Sequence, residues 1–325
     1  MTTTKKLIWL LMVGLVFSNC TKNKDITHPD FDYQTVYFGT QYPVRTLELG
    51  EDLFVDNSLD NEKKVEIKAT LAGTRDNKKN VAIGVQVDNS LLDRLYFSNT
   101  GAKILPMPSN YYTMASNTIN IQPGNILGGV QVQLTDAFFA DPLSLVNTYA
   151  IPLKMVSVQN ADSILAGKDF VLYVVKYVNT WHGNYLRRGQ DEVTYQGETT
   201  PVTITRRAEY RERDEVNKLT TRSLSQLEFP VPLKDKNGVN ITVTLLLNFD
   251  DNGNCTITSG TAGVTASGTG SFVKRGDKNS WGNQDRDVLY LNYNISMSQL
   301  TATTKDTLVM RDRAVAPEYF TPIVQ

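Results

Sequence analysis

Cysteine is almost absent from this chain: of 325 residues only Cys20 and Cys255 carry a thiol. With Cys20 at the end of an export leader, Cys255 has no partner, so no intrachain disulfide can hold the fold. Stability must come from apolar cores, which 41% hydrophobic residues can build. Histidine is equally scarce. His28 and His182 are too few for a His-based metal centre, and Cys255 lacks the companion thiols of a zinc site. Neither sign of charge dominates, since 33 Lys and Arg stand against 34 Asp and Glu. No basic block of the size nucleic acid needs is present, which excludes nucleic acid as a partner. Beyond the first twenty residues no apolar run is long enough to cross a bilayer. Gly260-x-x-Gly263 and Gly268-x-Gly270 are followed by no Gly-Lys-Ser/Thr, and no Gly-x-Ser-x-Gly elbow occurs. No cofactor is expected.

What is present begins with Lys5 and Lys6, an apolar run from Leu7 to Phe17, and Ser18-Asn19-Cys20. A basic start and a short apolar core make an export signal rather than a spanning helix. The segment resembles a bacterial lipobox, with Phe17 and Asn19 where smaller residues are usual. The resemblance implies cleavage after residue 19 and lipidation of Cys20, which would anchor the chain to the outer membrane at its cell-surface or periplasmic face. Residues 20–35, opening Thr21-Lys22-Asn23-Lys24-Asp25, read as a tether.

About 305 residues remain, enough for two domains. Period-two or β-branched runs dominate, as in Val65–Leu71, Val81–Val87 and Gly129–Leu134. Such alternation buries one face of a sheet and wets the other. Asn237-Gly238 and Asn252-Gly253 flank the apolar run Ile241–Leu247, and Asn-Gly provides the positive φ angles of tight hairpins. A meander is expected there. Only Asp88–Leu95 and the charged Arg206–Leu219 region hint at helix, and the latter fits a solvated strand and loop equally well. Phe170–Val178 reads as the last strand of a first sheet, and Trp181-His182-Gly183-Asn184-Tyr185 opens a new pattern.

Tyr37-Phe38, Ile119–Gly124, Tyr149–Leu153 and Tyr173–Asn179 together resemble DUF1735, an N-terminal domain of exported lipoproteins in Bacteroidetes. Trp181–Tyr185, Asp306–Arg313 and Ala316–Phe320 resemble its C-terminal partner DUF4361. The resemblance implies an all-β chain: an immunoglobulin-like β-sandwich over 36–178, then an antiparallel, lipocalin-like β-barrel or sandwich over 179–325. It further implies a place among cell-surface proteins that capture complex glycans, beside outer-membrane transporter components. It carries over no catalytic residues.

Sugar rings offer C–H faces to aromatic side chains and hydroxyls to amides, carboxylates and Arg. Trp281, in the polar stretch Lys278–Asp285, is the leading candidate for stacking, followed by Tyr111, Tyr112 and Trp181; each has a plain reading as packing. A hydrolase would need two carboxylates across a bond, for which Asp191-Glu192 and Asp285-x-Asp287 are the candidates. Asp250-Asp251-Asn252-Gly253-Asn254 slightly resembles a calcium loop but lacks the distal bidentate Glu, and a hairpin turn explains it better. The expected role is a non-catalytic glycan-binding or complex-supporting surface lipoprotein. A structural, protein-binding adhesin is the alternative, and a glycoside hydrolase a third reading.

Overall fold

The computed structural model describes residues 33–74 and 76–325. The leader, Cys20, His28 and most of the expected tether lie outside the described residues.

The chain is all-β, and its first part is a β-sandwich. The strands that matter here are β1 (Thr35–Tyr37), β2 (Pro43–Glu48), β3 (Lys64–Ala72), β4 (Val81–Val87), β5 (Leu127–Leu134), β6 (Tyr149–Gln159) and β7 (Phe170–Val178). One sheet contains β1, β3 and β5 side by side; the other runs β2-β7-β6-β4. Val36, Val65, Ile67 and Val132 of the first sheet share one core with Ile83, Ile151, Leu153 and Val175 of the second. The alternation of β3 and β4 follows from this. By contrast β7 reads as a continuous apolar run because both of its faces are covered: Leu172 and Val174 pack into a second cluster with Leu92, Phe97 and Phe320.

Residues 183–312 form a closed eight-stranded barrel. Its strands are β8 (Gly183–Tyr195), β9 (Glu215–Ser223), β10 (Gln226–Lys234), β11 (Asn240–Phe249), β12 (Asn254–Ser259), β13 (Thr265–Asp277), β14 (Arg286–Ser296) and β15 (Leu300–Asp312). Each pairs antiparallel with the next, and β15 closes on β8 from Asn184↔Asp312 to Tyr195↔Leu300. A barrel of eight strands has an interior that side chains can fill. Leu227, Phe229, Leu245, Leu247, Leu289 and Leu308 do so. An ion-pair network crosses the same interior. Arg187 donates through Nε to Asp306 at 3.0 Å, Tyr293 donates to Asp306 at 2.7 Å, and Arg206, from the short strand Val202–Arg206, bridges Asp191 and Asp306.

Both Asn-Gly hairpins form, by a different turn from the one expected. In each, an Asp accepts the backbone N–H groups two and four residues further on: Asp235 from Asn237 and Val239, Asp250 from Asn252 and Asn254. Only the glycines, Gly238 at φ 82° and Gly253 at φ 80°, take the left-handed conformation. The helical hint at Asp88–Leu95 is a single 3-10 turn, Asn89–Leu92, capped by Asp88 on the Ser90 N–H at 3.1 Å. Arg206–Leu219 is the end of a strand, a turn and the start of β9.

After the barrel the chain returns to the sandwich. Glu318-Tyr319 pairs with Pro43-Val44 of β2, and Pro322–Val324 pairs with Leu95–Phe97. Residues 318–324 thus belong structurally to the first part, although they follow the barrel in sequence. No helix among the described residues is long and apolar enough to cross a membrane.

Candidate functional site

The end of the barrel nearest the connector carries a concavity. Asn179 fixes its wall: its side chain donates to the carbonyls of Ser223 and Gln226 and accepts the Trp181 N–H at 3.2 Å. Tyr185, wholly buried, donates its hydroxyl to the Trp181 carbonyl at 2.7 Å. With its backbone held on both sides, the Trp181 ring stacks on Phe249, centroids 4.0 Å apart and planes within 10°. The pair closes the barrel and also walls a hollow of about 480 Å³, lined by Trp181, Ser225, Phe249, Phe272, Lys274 and the hairpin Asp250–Gly253. A second hollow of about 610 Å³ lies on the other side of that hairpin. It shares Phe249 and Asp250 with the first and is lined further by Asn248, Thr256, Thr269, Tyr290 and Asn292. Volumes of this size suit small organic ligands.

Several of the groups facing these hollows are unspent. Asp250 is committed to its turn, whose Asn254 and Asn252 donors hold its carboxyl below the usual range. Asp251, Asn252 and Lys274 make no side-chain hydrogen bond or ion pair among the described residues, and neither do Tyr290 and Asn292. A carboxylate, an amide and an ammonium beside two aromatic walls can take hydroxyls as donors and acceptors. No group of three or more His, Cys, Asp or Glu side chains able to hold a metal ion occurs among the described residues.

The residues singled out in the sequence are scattered by the fold. Trp281 lies on the outside of the barrel, packed on Leu186, Val288 and Val309, with the Arg286 guanidinium 4.0 Å from its ring centre. Arg286 also lies 5.3 Å from the exposed Phe54 ring. Protein groups therefore occupy the Trp281 ring that a sugar would need. Tyr111 donates to Asp141 at 3.1 Å and meets Phe138 and Tyr149 edge-on, and Tyr112 packs against the sandwich core. Of the four aromatic candidates, Tyr111, Tyr112 and Trp281 line neither of these two hollows, and Trp181 lines the first. Its partners Phe249, Phe272 and Lys274 escaped sequence reasoning, because alternation marks a residue as buried or exposed without saying that a strand end opens on a concavity.

The carboxylate candidates have other duties. Asp191 is buried, bound by Arg206 and by the Thr304 hydroxyl at 2.7 Å, whereas Glu192 is half-buried and accepts from Gln190 and Thr203. Asp285 takes Lys278 at 2.8 Å and Asp287 takes the Arg275 N–H at 2.8 Å. His182 is buried and accepts the Thr221 N–H at Nδ1, and burial, aided by Lys218 and Arg313, pushes its pKa down to about 3, so it stays neutral. Cys255 is a core residue, its thiol pushed up to about 12 by burial.

A barrel meander of this connectivity, joined to a sandwich, defines a two-part architecture that known proteins share. Residues 180–314 match a domain of unknown function, DUF5627, where the sequence resemblance pointed to DUF4361; residues 31–162 match a family described as an N-terminal domain. A crystal structure of a Bacteroides ovatus protein of unknown function is 45% identical, covers 91% of this chain and all of its own length, and superposes with a TM-score of 0.85. The chain belongs to the same family as that protein. Looser likenesses include another Bacteroides ovatus protein of unknown function, 14% identical over 86% of this chain and 94% of its own, with a TM-score of 0.43. An auxiliary nutrient binding protein from Bacteroides thetaiotaomicron is 14% identical over 85% and 95%, with a TM-score of 0.38. Likenesses this distant carry nothing to the present site. No curated protein matches the chain.

Proposed function

We propose that the chain is a non-catalytic glycan-binding protein whose ligand enters the hollow beneath Trp181, with the sandwich as spacer. Lipid on Cys20 would hold it to the outer membrane, at the cell-surface or periplasmic face, where transporter components would receive the captured glycan. The observation that carries the reading is the Trp181 and Phe249 stack walling a hollow of about 480 Å³ beside the unpaired Asp251, Asn252 and Lys274. Apolar ring faces with amide, carboxylate and ammonium partners at their edge match a pyranose, whose C–H face stacks while its hydroxyls bond. Binding would be weak at one site and strengthened by dense display on a membrane.

The test is a broad glycan array probed with the chain lacking residues 1–20, with product analysis of the same incubations. A saturable signal without cleavage, lost in Trp181→Ala and weakened in Lys274→Ala, is expected. Lys274 is exposed, so its variant keeps the test valid if the Trp181 change disturbs the barrel end. Release of reducing ends would make the protein a hydrolase, and silence across the array would turn attention to a protein partner.

A further inference from the structure

The second hollow gives the glycan reading a specific form. We infer that the ligand is an uncharged oligosaccharide long enough to cross the Asp250–Gly253 hairpin from Trp181 to Tyr290, rather than a single sugar or an acidic glycan; this rests on the glycan reading itself. Continuity comes first. The two hollows share Phe249 and Asp250 as a common wall, so a chain that fills one is led into the other.

Register supplies the length. Asn254 pairs with Ser271 and Ser271 with Tyr290, so Tyr290 stands two strands from the hairpin, about 10 Å away at the usual strand spacing. Thr256, Thr269 and Asn292 form the neighbouring row across the same strands. Each row presents hydroxyls or amides at regular intervals on the barrel's outer face. Tyr290 is 40% exposed and ends the track with an aromatic ring, as Trp181 begins it. The track is longer than one sugar ring.

Charge supplies the class. Across both hollows the charged side chains are Asp250, Asp251 and Lys274, two carboxylates against one ammonium. The second hollow contains only Asp250 of these. A uronic acid or sulfated sugar would meet like charge at the hairpin and find no cation beyond it, which penalises acidic ligands. Thr, Ser and Asn side chains suit neutral hydroxyl-bearing chains, because they donate and accept without imposing charge.

The experiment is calorimetric titration of the chain lacking residues 1–20 with cello-, malto- and xylo-oligosaccharides from disaccharide to hexasaccharide, and with oligogalacturonides of matching lengths. Affinity for one neutral series should rise with length and then level off, and the oligogalacturonides should bind more weakly. Tyr290→Ala should weaken the hexasaccharide by about tenfold, with a smaller effect on shorter members. Tyr290 points outward, so its removal leaves the barrel core intact. Tighter binding of oligogalacturonides, affinity independent of length, or an unchanged hexasaccharide in Tyr290→Ala would overturn the inference and leave the Trp181 site standing. If no member of any series binds, the glycan reading falls with it.

Discussion

Glu48 shows how one side chain ties burial to charge. It is 9% exposed at the end of β2, and its Oε2 has no hydrogen-bond partner. Burial pushes its pKa from 4.5 up to about 7; Arg313 and Arg45 pull it down, while Asp52 and Asp60 push it further up. The folded protein therefore holds this proton more tightly than the unfolded chain does. Its contribution to stability is complete below about pH 4.5 and is lost as pH rises to about 7, beyond which the loss is constant. Glu48→Gln removes that dependence. Urea titrations should find the variant about 1–2 kcal/mol more stable than the parent above neutrality and equal to it in acid. An identical gap at both pH values would sink the idea. None of this was legible beforehand, since Glu48 occupies an ordinary position in an alternating strand and its environment is assembled from Asp52, Asp60 and Arg313. The same holds for the ligand groove. Trp181 stood out in the sequence because tryptophan is rare, but Phe249 and Tyr290 looked like any strand aromatic, and the polar run around Trp281 gave no sign that Arg286 would lie over its ring.

At the scale of elements, β13 explains why a glycine pattern in a Thr/Ser-rich stretch makes a strand rather than a phosphate loop. Its outward side chains are Ser267 and Thr269, and Gly268 and Gly270 face inward, paired with Tyr293 and Leu291 of β14. A Cβ on Gly268 would stand 2.3 Å from the Asn292 carbonyl oxygen and 2.6 Å from the Tyr293 Cβ. One on Gly270 would meet the Cys255 Sγ at 2.8 Å. Beside these two positions the interior is thus filled by large residues of the neighbouring strands, because Gly268 and Gly270 contribute no side chain there. Gly268→Ala is expected to destabilise the barrel by about 1–3 kcal/mol, whereas Thr269→Ala, on the exposed face one residue away, should stay within about 0.5 kcal/mol. Thermal melts of the two variants decide it, and equal midpoints would count against the packing account. Strands were the most readable feature of the sequence: Val81–Val87 and Phe170–Val178 form with the expected limits. Barrel closure between β8 and β15 was less readable, because pairing across more than a hundred residues leaves no local pattern.

For the whole molecule the question is what joins sandwich to barrel, and Arg313 stands at the centre of the answer. It is 4% exposed, directly after the last barrel strand. Its guanidinium donates to the carbonyls of Leu49 and Glu51 on the sandwich side, at 2.9 and 3.2 Å, and to those of Asn179 and His182 in the connector, at 2.7 and 3.0 Å. Arg275 of the barrel pairs with Glu51, and the returning tail adds the Lys176–Glu318 ion pair beside its strand pairings. Carbonyl acceptors rather than a carboxylate hold the Arg313 charge, so both halves supply its solvation and neither half alone can. Replacing it strands several buried acceptors, each costing about 1–3 kcal/mol when left unpaired. Arg313→Ala should therefore do more than lower the melting temperature. Calorimetry of the parent is expected to give one transition, and that of the variant two, as barrel and sandwich lose their common anchor and melt separately; proteolysis should then cut near Val178–Thr180. A single transition that merely shifts downward would mean that the tail strands and the Arg275–Glu51 pair suffice to couple the halves, and that Arg313 stabilises the barrel end alone.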